Sequence, residues 1–317
     1  MKILIIGGTR FLGMELLKQL TNRGHDVVVV SRRANQDTVK YTPVKAERSE
    51  GLKRIKEKSF DVTFDFIAYD DNAVAEVFNS IKTDKYIFIS SIWISRLGKG
   101  IAANNPVEEI DFRAKDNMAE ITWNYLIGKQ KAESLVLERR KRDEKSTVLR
   151  LPILWGVNDP TGRLEFYCQR ISDGRPVIIV NGGRNFAQIS WVNDVAHAML
   201  VWIEKDLSPK MPIWEGLQGK GEEVRDILDC ISEVRGCNPK MVAISSDKLR
   251  DELPEYLEAE PLWREKNIDI TGSNLFRFTG INPKKTFEWL EEVVDMKEPN
   301  GITELRLKEI CFLREIN

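Results

Sequence analysis

Histidine and cysteine are scarce in this sequence of 317 residues, which contains two histidines and four cysteines. The cysteines are Cys168, Cys230, Cys237 and Cys311. They form no C-x-x-C pair, so the sequence lacks the ligand spacing of a structural zinc site. Scattered thiols are typical of a reducing compartment rather than of a disulfide framework. We therefore expect a protein with neither a metal site nor disulfides.

The sequence also lacks a long apolar run and a net charge of either sign. Its first apolar run, "MKILIIGG", is shorter than the core of a signal peptide and stops at a glycine turn. No segment approaches the roughly 18 consecutive apolar residues of a membrane span. The formal net charge of -1 offers no electrostatic basis for binding nucleic acid. These absences predict a cytoplasmic protein without a membrane span, and they make binding to nucleic acid an unfavoured expectation.

Strand and helix signals alternate through the first half of the chain. Short β-branched runs such as "KILIIGG", "HDVVVVSRR" and "KYIFISS" indicate buried strands. The segment "NAVAEVFNSI" and residues 118–142 are patterned as helices. This order predicts an α/β protein with a Rossmann-like, doubly wound parallel sheet. Residues 1–156 would form the first domain, and 186–205 would return to it.

The second half has weaker patterns. We predict a smaller C-terminal α/β domain for the substrate, formed by 157–185 and 206–295 and ending in a helix that starts at Pro283. A helical tail would follow at 296–317. A polar insertion at 95–117 separates the strand "KYIFISS" from the long helix. We leave a homodimer open as the state of assembly.

The first strand runs into the turn "GGTRFLG", which has the strand–turn–helix setting of a dinucleotide-binding fingerprint. In such a turn, Gly7 would adopt a conformation closed to other residues, and Gly13 would let the helix lie close to the sheet. Arg10 stands where the second glycine of the fingerprint usually lies. A plain strand–turn–helix is the alternative. The cofactor-binding residues predicted here are Gly7, Thr9, Arg10, Phe11, Leu12 and Gly13.

The end of the second strand indicates which nicotinamide cofactor the protein prefers. NAD-binding folds usually carry a carboxylate there, which binds the ribose 2′-hydroxyl. Here the run "VVVVSRR" places Ser31 at that position, followed by Arg32 and Arg33. Guanidinium groups bind a 2′-phosphate through charge-assisted hydrogen bonds, so these residues favour NADP, with NAD as the second choice. A solvated basic loop is the alternative interpretation.

A second group of candidate residues lies on the serine strand and on the long helix. Tyr125 and Lys129 are four residues apart, so their side chains would share one face of that helix. The ammonium would stabilise a tyrosine phenolate, which exchanges a proton with a substrate hydroxyl or carbonyl during hydride transfer. Ser91, at the carboxyl end of a parallel strand, would polarise the same oxygen. A chance Tyr-x-x-x-Lys pair on a surface helix is the alternative.

In this order the motifs resemble the short-chain dehydrogenase/reductase superfamily, in its extended branch, the NAD-dependent epimerase/dehydratase family. "GGTRFLG" resembles the family's fingerprint, "YIFISS" its serine strand, "YLIGKQKAE" its catalytic helix and "LRLPILWG" the strand that lines the nicotinamide. The resemblance implies an NAD(P)-dependent oxidoreductase or epimerase acting on a nucleotide sugar or a related small molecule. The catalytic residues that it implies are Ser91, Tyr125 and Lys129. The further cofactor contacts that it implies are Ile67, Ala68, Lys129, Pro152 and Leu154.

Two departures from the family pattern bear on the reaction. Ile92 and Trp93 replace the Asp-Glu pair of the dehydratases, and neither can act as an acid or a base, so a 4,6-dehydratase is disfavoured. The "GGTR" turn also resembles a subgroup in which some members have lost the catalytic tyrosine and resemble chloroplast RNA-binding proteins. Because Tyr125 and Lys129 are both present, we favour an enzyme over a catalytically silent cofactor-sensing or RNA-binding protein.

The substrate side is the least defined. An arginine after the strand "LRLPILWG" would meet a diphosphate or a carboxylate, and a tryptophan would stack on a base or a sugar. Ordinary surface arginines and core tryptophans are the alternative. The candidate substrate residues are Trp93, Arg163, Arg170, Trp191 and Trp214.

Overall fold

The computed structural model describes residues 1–34, 39–98, 105–117, 119–143, 145–217, 221–263, 274–294 and 303–316. Parts of the predicted polar insertion, at 99–104, and of the predicted tail, at 296–302, lie outside the described residues. The chain forms two compact units. The first consists of Met1–Leu154, Val192–Gly219 and Ile268–Pro283, and the second of Trp155–Trp191, Lys220–Asn267 and Lys284–Asn317.

Strands and helices are numbered here along the chain. The strands are β1 (Lys2–Ile6), β2 (Asp26–Ser31), β3 (Thr42–Lys45), β4 (Ser59–Asp65), β5 (Lys82–Ser91), β6 (Thr147–Leu151), β7 (Ile153–Trp155), β8 (Val177–Val180), β9 (Phe186–Ala187), β10 (Ile189–Trp191), β11 (Ile213–Glu215), β12 (Glu222–Glu223) and β13 (Met241–Ile244). The α-helices are α1 (Phe11–Asn22), α2 (Arg48–Arg54), α3 (Asp71–Ser80), α4 (Glu120–Asp143), α5 (Arg163–Ser172), α6 (Val192–Glu204), α7 (Val224–Val234), α8 (Ser246–Glu252), α9 (Pro254–Ala259), α10 (Asn274–Thr279), α11 (Thr286–Val294) and α12 (Glu304–Glu315).

The first unit is built on a parallel sheet of seven strands. Their order is β11-β6-β5-β4-β1-β2-β3, with Ile3 of β1 in register with Val27 of β2 on one side and Val62 of β4 on the other. The strand order runs outward from β1 in both directions, which makes its carboxyl end the topological switch point. Ligands of doubly wound sheets bind outside the strands at such a point. The predicted Rossmann-like fold is confirmed.

Helices cover both faces of this sheet. The side chains of each buried strand point alternately to one face and to the other. Leu4 of β1 packs in a core cluster with Val77 of α3 and Ala132 of α4. Ile5, next along the strand, points to the opposite face. The helices α1 and α6, which contact each other, cover that face. Burial on two faces explains the nearly continuous apolar runs of the strands in the sequence.

Two strand features are not visible in the sequence pattern, and both involve proline. β3 is the edge strand beside β2 and contains Pro43, which has no N–H to donate to a neighbour. Its four residues are half-buried or exposed, so they form no apolar run. The segment "LRLPILWG", expected as one strand, is divided between β6 and β7 around Pro152.

The division into units differs from the predicted domain bounds in the second half of the chain. Residues 206–219 belong to the first unit because β11 adds a strand to its sheet, with Ile213 in register with Val148. Residues 186–191, predicted to return to the first unit, belong to the second. The helix α12 of the predicted tail also belongs to the second unit, where Phe312 is buried in a cluster with Ile178.

Candidate active site

The turn after β1 brings the backbones of three glycines close together. Gly7 and Gly8 have φ angles of 83° and 67°, a region that other residues rarely occupy. A Cβ atom on Gly13 would lie 2.2 Å from the Cα of Gly8. The first turn of α1 therefore lies directly against the loop, with no room for a side chain between them. Such a bare backbone fits the close approach of a dinucleotide pyrophosphate.

Arg10 occupies this turn without backbone strain. Its φ and ψ angles are -142° and 153°, ordinary extended values, so the position does not require glycine. The positive φ falls instead on Phe11, at 45°. The side chain of Arg10 is exposed and makes no capping hydrogen bond with α1, which leaves the N–H groups at the helix start, including that of Leu12, uncapped by it.

The end of β2 lies against the same turn. The hydroxyl groups of Ser31 and Thr9 are 3.0 Å apart, and the Ser31 Oγ also accepts a hydrogen bond from the N–H of Arg33 at 3.3 Å. Arg32 lies 3.8 Å from Glu47, with both side chains 73% exposed. An ion pair this exposed contributes little, so it restrains the Arg32 guanidinium only weakly.

The turn after β4 contacts both groups of predicted site residues. A Cβ on Gly7 would lie 2.6 Å from the Cγ2 of Ile67, so Ile67 lies over the glycine turn. The carbonyl oxygen of Ala68 accepts a hydrogen bond from the Nζ of Lys129 at 2.8 Å. Ile67 and Ala68 therefore connect the predicted cofactor turn with the predicted catalytic helix.

Lys129 is buried, and its ammonium is held by the backbone. Besides the carbonyl of Ala68, the carbonyl of Ile89 accepts a hydrogen bond from Nζ at 2.8 Å. Nζ lies 5.9 Å from the ring centre of Tyr125, one helical turn earlier and 40% exposed. Burial lowers the pKa of Lys129 to about 8, and the negative charges of Asp65 and Glu133 oppose that effect.

Ser91 ends β5 at the same edge of the sheet. It is buried, and its Oγ accepts a hydrogen bond from the N–H of Trp93 at 3.3 Å, which caps a short 3₁₀-helix. Its register partner is Leu151, the last residue of β6. Pro152 and Leu154, also buried, come just after that partner, with Pro152 between β6 and β7 and Leu154 within β7.

Two of the predicted substrate residues belong to the protein interior. The guanidinium carbon of Arg170 lies 3.4 Å from the ring centre of Phe166, and its Nε lies 2.9 Å from Glu309, so we assign Arg170 to the core of the second unit rather than to a substrate. Trp214 is fully buried against Trp202, and we assign it to the core of the first unit.

The other three substrate candidates retain some access or a cationic neighbour. Trp93 is half-buried in the first unit, with the Arg96 guanidinium 5.9 Å from its ring centre. Arg163 is half-buried at the first position of α5 in the second unit. Trp191, also in the second unit, is 7% exposed, and the Nζ of Lys284 lies 4.3 Å from its ring centre.

Two features that hold the predicted catalytic helix are not among the predicted site residues. A Cβ on Gly128 would lie 2.4 Å from the carbonyl oxygen of Tyr69, so this glycine allows α4 to approach the turn after β4. Glu133 forms a buried ion pair with Arg150, with Nη2 2.5 Å from Oε2, and accepts a hydrogen bond from the Oγ of Ser90 at 2.7 Å. The sequence could have indicated both residues. Gly128 directly precedes the predicted catalytic Lys129, and Glu133 follows Lys129 by four residues, which places it on the same face of the helix.

The described residues contain no cluster suited to a metal ion and no helix suited to a membrane span. No group of three or more histidine, cysteine, aspartate or glutamate side chains in this part of the chain is arranged to hold a metal ion. None of its helices is both long and apolar enough to cross a membrane.

Known proteins resemble this chain in sequence and in fold. A model of the NAD dependent epimerase/dehydratase family matches residues 3–84 and 71–213. Solved structures share the fold at low sequence identity. They include dTDP-glucose 4,6-dehydratase from Bacillus anthracis in complex with NAD, which is 16% identical with a TM-score of 0.66 over 93% of this chain and 96% of that chain. They also include UDP-glucose 4-epimerase from Thermotoga maritima with UDP-glucose, which is 18% identical with a TM-score of 0.63 over 93% of this chain and 98% of that chain.

A curated relative points in another direction. The chloroplast stem-loop binding protein of 41 kDa b from Arabidopsis thaliana is 25% identical over 218 residues. The match covers 63% of this chain and 54% of that protein, so the chain spans about half the length of this relative.

Proposed function

This chain belongs to the NAD dependent epimerase/dehydratase family, and from that premise we propose that it is an NAD(P)-dependent epimerase or reductase. Its substrate would be a nucleotide sugar or a related small molecule with a hydroxyl or carbonyl carbon. The observation that carries the proposal is the buried ammonium of Lys129, 5.9 Å from the ring centre of the more exposed Tyr125. A charged donor beside an accessible phenol is the arrangement that acid–base chemistry at such a carbon needs.

The residues of this chain would divide the work at the substrate oxygen. Tyr125 would take the proton from a substrate hydroxyl, or give one to a carbonyl. The positive charge of Lys129 would stabilise the phenolate that remains on Tyr125. The O–H of Ser91, whose oxygen accepts from the backbone, is left to donate to the same substrate oxygen. A bound nicotinamide dinucleotide supplies the acceptance and return of a hydride.

Lys129 also has a donor for the cofactor. An ammonium group has three N–H donors, and the carbonyl groups of Ala68 and Ile89 take two of them. We propose that the third donates to a hydroxyl of the nicotinamide ribose. Gly7, Gly8 and the start of α1 would hold the pyrophosphate, since the side chain of the N-cap residue Arg10 does not cap the N–H groups of that helix start.

The adenosine end of the site supports NADP over NAD. Ser31 ends β2 where a carboxylate would otherwise select the ribose 2′-hydroxyl, and Arg32 and Arg33 follow it with exposed side chains. Arg10 is also exposed, in the adjoining turn. We propose that these guanidinium groups bind the 2′-phosphate. Glu47, weakly paired with Arg32, would exchange that contact for solvent when the phosphate is present.

The residues after Ser91 support an epimerase or a reductase over a dehydratase. Elimination of water needs an acid and a base beside the sugar, whereas this chain has Ile92 and Trp93 there. Ile92 is fully buried, so it offers no surface to a substrate. For the substrate itself, we propose a contact from Trp93, which is half-buried in the first unit.

The first experiment tests cofactor binding and catalysis separately. NADPH and NADH are titrated into the protein while cofactor fluorescence is followed, and candidate nucleotide sugars are then tested for turnover. We expect Tyr125→Phe to lower kcat by roughly 10²–10⁴-fold with little change in the cofactor Kd, because only the proton transfer is removed. Binding of neither cofactor would reject the proposed function. Normal turnover by Tyr125→Phe would reject the role of Tyr125 alone.

RNA binding is the second candidate, and the likeness to the chloroplast stem-loop binding protein favours it. Fluorescence anisotropy with a labelled stem-loop RNA, at several salt concentrations, tests it directly. A Kd in the micromolar range or tighter at physiological salt, without turnover of any nucleotide sugar, would favour this candidate over the enzyme.

A further inference from the structure

Asp65 is a fully buried carboxylate that the proposed reaction does not use. It ends β4, and its Oδ1 accepts hydrogen bonds from the N–H groups of Ile67 at 3.2 Å and Ala68 at 3.0 Å. These two bonds close the turn that follows the strand. A buried charge is costly unless it is paired and hydrogen-bonded, so a carboxylate retained here calls for a specific role.

Two other elements hold the Asp65 carboxylate. Arg48, at the start of α2, donates to Oδ1 at 2.8 Å and to Oδ2 at 2.6 Å, and also to the carbonyl of Ala73 at 2.7 Å. The hydroxyl of Tyr86, on β5, donates to Oδ2 at 2.8 Å. Burial raises the pKa of Tyr86 well above its usual value, so the hydroxyl remains a donor. The carboxylate therefore joins α2, β5 and the turn after β4.

That turn carries the contacts on which the candidate active site depends. Ala68 donates its N–H to Asp65 and accepts from the Nζ of Lys129 through its carbonyl group. Ile67, the other residue whose N–H reaches Asp65, lies over Gly7 of the cofactor turn. The second acceptor of Nζ, the carbonyl of Ile89, lies on the strand that carries Tyr86. One carbonyl acceptor of the ammonium thus belongs to a residue that is bonded to Asp65, and the other lies three residues after Tyr86 on a strand that is bonded to Asp65.

The charge of Asp65 also acts on Lys129. Burial has the largest effect on the pKa of Lys129 and lowers it, Asp65 and Glu133 raise it, and the positive charge of Arg48 lowers it. The aromatic neighbours that face Nζ are the rings of Phe88, Tyr69 and Tyr125, at 4.6, 5.1 and 5.9 Å. Among the charged groups, Asp65 is the one that also fixes an acceptor of the ammonium.

We propose that Asp65 is a positioning residue whose carboxylate, held by Arg48 and Tyr86, fixes the turn at 66–68 and thereby the place of the Lys129 ammonium. The proposal rests on the proposed function only where it concerns catalysis. The effect on Lys129 itself does not depend on any reaction.

The test is Asp65→Asn in the full chain, with two readouts. The first is the titration of Lys129, followed by NMR of protein labelled at the lysine Cε without cofactor and assigned with Lys129→Met. The second is the pH profile of kcat. We expect the Lys129 midpoint to fall below its unsubstituted value of about 8, and kcat at neutral pH to fall by roughly 10- to 100-fold with a smaller change in KM. An unchanged Lys129 titration in the folded variant overturns the proposal.

Tyr86→Phe is the second variant, because Asp65→Asn leaves Arg48 buried beside a neutral partner. Tyr86→Phe removes one hydrogen-bond donor to the Asp65 carboxylate and leaves the charges of Asp65 and Arg48 unchanged. We expect a displaced Lys129 Cε resonance and a loss of kcat smaller than that of Asp65→Asn. If Asp65→Asn does not fold, an unmoved Lys129 resonance in folded Tyr86→Phe overturns the proposal.

Leu20→Ala is the matched control for lost stability. Leu20 is fully buried near the end of α1, which runs from the carboxyl edge of the sheet back to the amino edge, away from the turn at 66–68. We expect Leu20→Ala to lower the urea midpoint of unfolding, because it leaves a cavity in the core, without moving the Lys129 titration. The outcomes also separate the two proposals. A Lys129 titration that responds to Asp65→Asn without turnover of any substrate rejects only the proposed function, whereas turnover with an unresponsive Lys129 rejects only the role of Asp65.

Discussion

At the scale of single residues, Lys129 shows burial and hydrogen bonding acting in opposite directions. Loss of water lowers its pKa to about 8, while two carbonyl groups hold the protonated form in one place. At neutral pH the group is therefore still mostly charged, but it loses its proton within reach of physiological conditions. A lysine with this pKa is suited to stabilising a phenolate without being a permanent, freely hydrated cation.

This burial predicts a dependence of stability on pH. Because the pKa of Lys129 in the folded protein lies below the usual 10.5, the unfolded chain binds more protons between pH 8 and 10.5. The free energy of unfolding, relative to Lys129→Met, should therefore rise across that window by roughly 3 kcal/mol. Urea unfolding of both proteins at several pH values measures the difference. If the difference in the free energy of unfolding between the two proteins stays constant with pH, burial does not lower the pKa of Lys129 in the folded protein.

Arg10 carries a second prediction at this scale. Its backbone is extended, so Arg10→Gly should leave the turn intact and remove only the exposed guanidinium. We expect the Kd for NADP to increase by roughly two- to fivefold, and that for NAD to change less, because NAD lacks the 2′-phosphate. Titration calorimetry with both cofactors measures this. Equal changes for the two would mean that Arg10 is merely tolerated in the turn.

At the scale of elements, the contact between α4 and the turn after β4 determines where the candidate catalytic groups lie. The helix itself is predictable, and its observed bounds, Glu120–Asp143, lie close to the predicted 118–142. How closely the helix approaches the turn after β4 is not predictable. That distance depends on the contact between Gly128 and the carbonyl group of Tyr69, about 60 residues away in the chain. Periodicity indicates which face of a helix is buried but not what that face touches.

Gly128→Ala tests this contact. The added methyl group would collide with backbone rather than with a flexible side chain, so α4 would have to move. We expect a loss of about 1–3 kcal/mol in the free energy of unfolding, although alanine is the better helix former, and a lower kcat because Lys129 moves with the helix. Lys131→Ala, at an exposed position of α4, is the control. A stabilised and fully active Gly128→Ala protein would contradict the contact.

At the scale of the whole molecule, the parallel sheet follows from the alternation of strands and helices, whereas its two edge strands, β3 and β11, and the division into units do not. β11 has three residues, too few for a recognisable pattern, and yet it assigns the chain around it to the first unit. Likewise, Arg170 and Trp214 lie in the interior beside residues far along the chain, Glu309 and Phe278 respectively. Residue type alone suggested that both would face a ligand.

Cofactor binding should stabilise the whole protein in proportion to affinity. At a cofactor concentration 100 times Kd, the free energy of unfolding rises by about 2.7 kcal/mol. At equal concentrations we expect NADPH to raise Tm more than NADH does, and Arg32→Ala to abolish most of that advantage. Arg54→Ala, another exposed arginine of the first unit, is the control. Equal protection by both cofactors would remove the basis for NADP preference.

The interleaving of the two units has a consequence for synthesis on the ribosome. β6 is complete once Leu151 has been made, but its neighbour β11 begins at Ile213, after a stretch of the second unit. At about 5–20 residues per second, the edge of β6 is left without its partner for several seconds. Unpaired edges invite pairing with other chains, so the nascent protein should be most prone to aggregation in that interval. A stalled chain ending before Ile213 would bind chaperones longer than one ending after Gly219.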